Sequence, residues 1–208
     1  MKRISLIVPC LNEEEAIPAF KQEIDRVFKE CLEGYAPELI FVDDGSTDRS
    51  LEMIKKMAEH SPEVKFISFS RNFGKEAAIY AGLEAATGDY AAVMDVDLQD
   101  PPSLLPDMLK AIEKEGYDCA GTRRVTRQGE PLLRSFFARA FYKTIHQISD
   151  TRIVDGARDY KLMTRPVLEA LLSLKEYNRF SKGLYEWVGF RTKWFEYENV
   201  ERVAGETK

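Results

Sequence analysis

Short apolar runs alternate with amphipathic stripes through the first 121 residues, and this alternation constrains the fold more than any other feature. Ile4–Val8, Leu39–Val42, Val64–Ser68, Tyr90–Met94 and Cys119–Gly121 read as strands. Between them, Glu13–Cys31 places Ile17, Phe20, Ile24, Val27, Phe28 and Cys31 on one helical stripe. Arg49–His60 and the alanine-rich Lys75–Ala86 read as helices, and Pro101-Pro102 opens another that reaches about Lys114. Strands separated by helices predict βαβ units and a mostly parallel sheet, an α/β fold.

The second half is less regular. Arg123 to Glu130 reads as a basic loop, and Leu132–Ile148 as an aromatic-rich helix. Asp155–Asp159 reads as a loop, followed by helices at Arg165–Ser173 and Phe180–Trp187 and a strand at Thr192–Tyr197. No linker separates the halves, so residues 1–208 are expected to form one domain with halves 1–121 and 122–208.

Composition narrows the class. A 44% hydrophobic content supports a core, and the net charge of −5 argues against a nucleic-acid partner. Three cysteines, Cys10, Cys31 and Cys119, without a C-x-x-C speak against a disulfide framework. Two histidines leave little for a zinc site. No run reaches the roughly 18–20 apolar residues of a membrane span, and Pro9 with Asn12 to Glu15 breaks the N-terminal run too early for a signal peptide.

Three acidic motifs follow three of these strands. Asp95 and Asp97 in Val-Met-Asp-Val-Asp-Leu-Gln-Asp share a face if the strand continues to Asp97. Paired carboxylates at the carboxyl end of a strand suit Mg²⁺ or Mn²⁺ with a diphosphate; a solvated acidic loop with Asp100 capping the next helix fits the same residues. Asp43 and Asp44, ahead of Gly45, could accept hydrogen bonds from a base or ribose, or serve as an ordinary strand–turn–helix cap. Asn12 and Glu13 after Pro9 face the same crevice or simply open a helix. Three acidic strand ends along one sheet edge would repel one another, so a cation or a hydrogen-bonding ligand is expected there.

The motifs Ile-Val-Pro-Cys-Leu-Asn-Glu, Val-Asp-Asp-Gly-Ser-Thr-Asp and Met-Asp-Val-Asp-Leu-Gln-Asp-Pro-Pro resemble those of family 2 glycosyltransferases of GT-A fold. Four further segments are similar to the polyprenyl-phosphate glycosyltransferases, which include dolichyl-phosphate mannosyltransferase and the bactoprenol glucosyltransferases. They are Ser70 to Ala78, Arg158 to Met163, Arg179 to Arg191 and Glu201 to Lys208.

The resemblance implies that residues 1–121 bind a nucleotide sugar and 122–208 the acceptor. Pro9, Asn12, Glu13, Asp43, Asp44, Lys75 and Asp95 would contact the donor, Asp97 and Gln99 would hold the metal, and Arg202 and Lys208 would close over the diphosphate. Asp159 is nominated as catalytic base. Lys161 stands where many relatives have arginine; it keeps the charge and loses bidentate phosphate recognition. With Arg123 and Arg134 it is the expected acceptor contact. Arg123, Arg124, Arg127, Arg134 and Arg139, followed by Phe136, Phe137, Phe141 and Tyr142, suit an anionic head group at a membrane surface. Many relatives continue into membrane helices, and the sequence ends at Lys208 without one.

The resulting expectation is a metal-dependent inverting transferase. It moves a hexosyl group from a nucleotide sugar, first of all a UDP-sugar, to a polyprenyl phosphate at the cytoplasmic face of the cell membrane. Homo-oligomerisation stays open. The alternatives are a family 2 transferase acting on a glycan hydroxyl, a nucleotide-sugar-binding protein without turnover, and a nucleotidyltransferase, which would release pyrophosphate.

Overall fold

The computed structural model describes residues 1–124, 154 and 156–197. The sequence-predicted helix Leu132–Ile148, Arg134, Arg202 and Lys208 lie outside them.

Seven strands are described: β1 (Lys2–Cys10), β2 (Tyr35–Asp43), β3 (Val64–Ser68), β4 (Tyr90–Val93), β5 (Cys119–Arg124), β6 (Ala157–Thr164) and β7 (Thr192–Tyr197). They form one sheet in the order β3-β2-β1-β4-β6-β5-β7. The pairs β1–β2, β2–β3, β1–β4 and β5–β7 are parallel; β6 alone runs antiparallel to its neighbours β4 and β5. The sheet is therefore mostly parallel, as expected, and strands from both halves of the chain share it.

Helices cover both faces. On one side lie α1 (Ala16–Cys31), α2 (Ser50–His60) and α4 (Leu105–Glu115); on the other lie α3 (Lys75–Ala85), α5 (Arg165–Ser173) and α6 (Ser181–Trp187). Strand alternation sorts the core between them. Leu6, Val8, Leu39 and Phe41 pack toward α1, while Ile7, Ile40 and Val42 pack toward α3. With both faces covered, β1 needs the continuous apolar run that marks it in the sequence. The α1 stripe buries Ile17, Phe20, Ile24, Val27 and Phe28, and Phe20 meets Phe41 edge-on with ring centroids 6.1 Å apart. In α3 the close approach to the sheet requires glycine: a Cβ on Gly82 would lie 2.3 Å from Ile7 Cγ2.

The strand β6 is the main departure from what the sequence predicts: a loop is expected over Asp155–Asp159, and the strand begins at Ala157. Its reversed direction has a functional consequence. Val93 pairs with Lys161, so continuing that antiparallel register by two residues sets Asp159 level with Asp95. The beginning of β6 therefore meets the carboxyl ends of β1, β2 and β4, where open α/β sheets bind ligands. Among the described residues no helix is long and apolar enough to cross a membrane.

Candidate active site

A cavity of about 250 Å³ opens at these strand ends, and Pro9, Glu13, Asp44, Lys75, Asp95 and Asp97 are among its lining residues. Cys10, Leu11, Asn72 and Val96 complete much of the wall.

The loops at its rim are tied to one another by side chains. Asn12 adopts φ 52°, and its Oδ1 accepts the Thr47 N–H at 2.7 Å. The Asn12 N–H donates to Ser46 Oγ at 2.9 Å, and the Glu13 N–H to Ser50 Oγ at 2.8 Å. Asn12 thus organises the turn after β2, while Glu13 faces the cavity. Asp44 accepts the N–H groups of Phe73 (2.7 Å) and Gly74 (3.0 Å), which fixes the loop leading into α3. Gly45, at φ 76°, allows this approach: a Cβ there would lie 2.5 Å from the Arg71 carbonyl carbon.

Asp43 ends β2, is only 1% exposed and is not among the residues that line the cavity; its Oδ1 has no hydrogen-bond partner among the described residues. A buried carboxylate oxygen left unpaired is costly, and a donor from a ligand would satisfy it.

The acidic pair after β4 is arranged differently from the expectation. The strand ends at Val93, so Asp95 and Asp97 do not share a strand face. They are brought into one cavity by a turn in which Leu98 takes φ 57° and Asp97 Oδ1 accepts the Gln99 N–H at 3.1 Å. Among the described residues no three acidic, histidine or cysteine side chains converge on one point. Hard carboxylate oxygens, few in number, fit a divalent cation that takes its remaining ligands from a diphosphate.

Lys75 joins the two halves. Its Nζ lies 2.6 Å from Asp95 Oδ1 and 2.6 Å from Asp159 Oδ2. Burial disfavours its charge, but Asp95 and Asp159 outweigh burial and hold the ammonium above its ordinary pKa. Asp159 is also mostly buried, which alone would raise its pKa; Lys75 and Lys182 reverse this and keep it below the usual carboxylate value. Lys182 Nζ is 3.8 Å from Asp159 Oδ1.

A second link runs beneath the Asp95–Asp97 turn. Asp100 is fully buried, and its Oδ1 accepts both Arg158 Nε (3.1 Å) and the Tyr197 hydroxyl. This ties the turn to the beginning of β6 and the end of β7. Burial nevertheless leaves the Asp100 pKa raised.

Cys10 lines the cavity, and its side chain is buried. Burial, with help from Glu13 and Asp43, pushes its thiol well above the ordinary value.

Two expected acceptor contacts lie elsewhere. Lys161 is 1% exposed and does not reach the cavity. It points to the same face as Asp159, two residues deeper, where its ammonium is 3.2 Å from Glu186 and packs against Tyr185 and Trp194. In this position it forms a core ion pair with Glu186. Arg123, on β5, pairs with Glu196 of the neighbouring β7. Lys182 and the Asp100–Arg158–Tyr197 link escaped the sequence reading; neither has a local signature.

The glycosyl transferase family 2 profile matches residues 5–172. A prophage bactoprenol glucosyl transferase homolog of Escherichia coli K12 is 42% identical over 206 residues, 99% of this chain and 66% of its own length. Across the first curated relatives the chain spans 61% to 66% of their length. Among solved structures, a mannosyltransferase of Pyrobaculum calidifontis in complex with GDP-Man and Mn²⁺ superposes with a TM-score of 0.62 at 21% identity, over 98% of this chain and 57% of that one. Glucosyl-3-phosphoglycerate synthase of Mycobacterium tuberculosis, in complex with Mn²⁺, UDP and phosphoglyceric acid, gives 0.59 at 23% identity, over 81% and 58%. At these identities the likeness shows the fold, which is GT-A.

Proposed function

Because the chain belongs to glycosyl transferase family 2, we propose that it is the catalytic part of an inverting hexosyltransferase that uses a nucleotide sugar, first of all a UDP-sugar, and a polyprenyl phosphate. The observation that carries this reading is the meeting of Asp44, the Asp95–Asp97 turn and Lys75 at one crevice, with Lys75 also holding Asp159. The name of the E. coli relative supports the lipid acceptor.

On this reading Asp43, whose buried Oδ1 has no partner among the described residues, receives a donor group from the base or ribose. Pro9 and Glu13, which line the cavity, face the nucleoside, and the family resemblance assigns Arg202 and Lys208 to the diphosphate. Asp97, with the Gln99 side chain, would hold Mg²⁺ or Mn²⁺, which when bound supplies positive charge against the diphosphate.

A phosphate oxygen of the acceptor attacks the anomeric carbon from the face opposite the leaving group. The bond from that carbon to the diphosphate oxygen breaks, and its electron pair stays on the departing nucleoside diphosphate. No proton has to leave the acceptor, because a phosphate monoester has a second pKa of about 6. The chain's own work is to orient the two reactants and to exclude water from the anomeric carbon. The reaction belongs where a lipid phosphate meets the cytoplasm, at the membrane surface.

The test is a donor and acceptor screen: UDP-glucose with Mn²⁺, and polyprenyl phosphate in micelles, read as UDP released and lipid-linked sugar formed. Transfer to a glycan hydroxyl alone would replace the lipid acceptor by the second type of substrate. Saturable donor binding with no product would reduce the chain to a binding protein.

A further inference from the structure

Ser181-Lys182-Gly183 opens α6, and its first residue is locked to α3. Ser181 donates its N–H to both carboxylate oxygens of Glu76, at 3.1 and 3.0 Å, and its hydroxyl to Oε2 at 2.5 Å. Glu76 follows Lys75, and Lys182 follows Ser181. The clamp between the inner pair therefore sets the outer pair, two ammoniums from two helices, on either side of Asp159. Lys75 faces Asp159 Oδ2 at 2.6 Å, and Lys182 faces Oδ1 at 3.8 Å.

The two lysines are not equivalent. Lys75 lines the donor cavity and is also held by Asp95. Lys182 is not among the residues that line that cavity, its side chain is 25% exposed, and its longer contact with Asp159 is a weaker one. The crevice itself carries Glu13, Asp44, Asp95 and Asp97. An ionised phosphate approaching Asp159 from outside meets this concentration of negative charge and needs a cation on its own side.

We propose that Lys182 is the acceptor-side phosphate ligand: its ammonium turns from Asp159 Oδ1 to an ionised phosphate monoester, while Lys75 keeps Asp159 in place. This rests on the functional reading above and adds the residue that selects a charged acceptor over a neutral alcohol.

The test compares the unsubstituted chain with Lys182→Gln and Lys182→Arg. Farnesyl phosphate is the acceptor probe, inorganic phosphate the competitor, and UDP with Mn²⁺ the donor-site probe. A lost charge-assisted contact is expected to raise the acceptor KM of Lys182→Gln roughly tenfold to hundredfold, with UDP affinity and Tm unchanged and most of the loss restored by arginine. Inorganic phosphate should inhibit the unsubstituted chain more than Lys182→Gln. An unchanged acceptor KM, or a loss of UDP affinity that accounts for the effect, overturns the proposal. The functional reading fails separately, when the unsubstituted chain makes no lipid-linked sugar. Calorimetry of farnesyl phosphate on the UDP-loaded chain then decides: weaker binding by Lys182→Gln supports the phosphate site, and equal or absent binding rejects it.

Discussion

Lys75 Nζ stands 2.6 Å from Asp95 Oδ1 and 2.6 Å from Asp159 Oδ2, so one ammonium joins the loop after β4 to the beginning of β6. The two carboxylates come from segments 64 residues apart in the chain and face each other because β6 is antiparallel to β4. Without the cation they would repel, and the crevice would lose its fixed shape. Lys75→Met is expected to lower kcat/KM by roughly 10²–10³-fold, the scale of removing one preorganised electrostatic contact. Lys75→Arg should retain part of the activity, because charge is kept while the geometry changes. Steady-state kinetics on both variants, with melting curves to exclude unfolding, checks this; activity near the unsubstituted level in Lys75→Met would refute it.

Asp97→Asn should abolish the Mn²⁺ dependence of donor binding and leave folding intact. Asn keeps a carbonyl oxygen that can accept the Gln99 N–H now held at 3.1 Å, so the turn survives. It loses the negative charge that attracts a hard cation. UDP titrations with and without Mn²⁺ read the effect directly, and a mutant that still gains affinity from Mn²⁺ would remove Asp97 from the metal site.

Glu38 offers a stability test away from the crevice. Its side chain is buried and receives the Ser5 hydroxyl (2.5 Å), the Lys65 ammonium (2.6 Å), and the Thr87 hydroxyl (2.6 Å) and N–H (2.9 Å). Burial pushes its pKa up, but these donors outweigh burial and bring it down to about 2 from 4.5. The folded value is depressed, so the stabilisation is complete above pH 4.5 and is lost as pH falls from there through about 2. Glu38→Gln should cost about 1–3 kcal/mol at neutral pH and lower Tm by roughly 3–10 °C. It should also flatten the acid side of the stability curve. Denaturation followed by circular dichroism at pH 7 and pH 3 measures both, and an equally steep acid limb in the mutant would count against this assignment.

How far the sequence could be read depends on where each signal resides. The strand β1 and the helix α1 are legible because their own residues carry the periodicity: Ile4–Val8 is buried from both faces, and Ile17, Phe20, Ile24 and Val27 make one stripe. The strand β6 is not, because Arg158, Asp159 and Lys161 interrupt its apolar pattern. Their burial is made tolerable by partners distant in sequence: Asp100, Lys75 and Glu186. The acidic motifs identified the crevice, but the turn carrying Asp95 and Asp97 depends on a left-handed Leu98, which no composition rule indicates. Lys182 is a single lysine in the first turn of a short helix, and only the Glu76–Ser181 clamp gives it a place.

Asp159 decides between two kinds of acceptor. A hydroxyl acceptor must shed a proton as it attacks, and a base at Asp159 would then contribute roughly 10²–10⁴-fold. The structure makes Asp159 a poor base. Lys75 and Lys182 outweigh burial and hold its pKa below the ordinary value, so it has little affinity for a proton near neutral pH. Its carboxylate is instead suited to orienting two ammoniums. With a polyprenyl phosphate acceptor, Asp159→Asn is expected to weaken acceptor binding more than turnover and to leave the rate flat above pH 7, past the second phosphate pKa of about 6. If the acceptor is a hydroxyl, the same variant should lose turnover at unchanged donor affinity. If Asp159 serves only to hold the loop, its variant should melt earlier and be normally active per folded molecule. Rate, acceptor KM and Tm of this one variant separate the three cases. A large turnover loss with a lipid phosphate at unchanged acceptor KM would show that Asp159 acts on the reacting atoms and not through the lysines beside it.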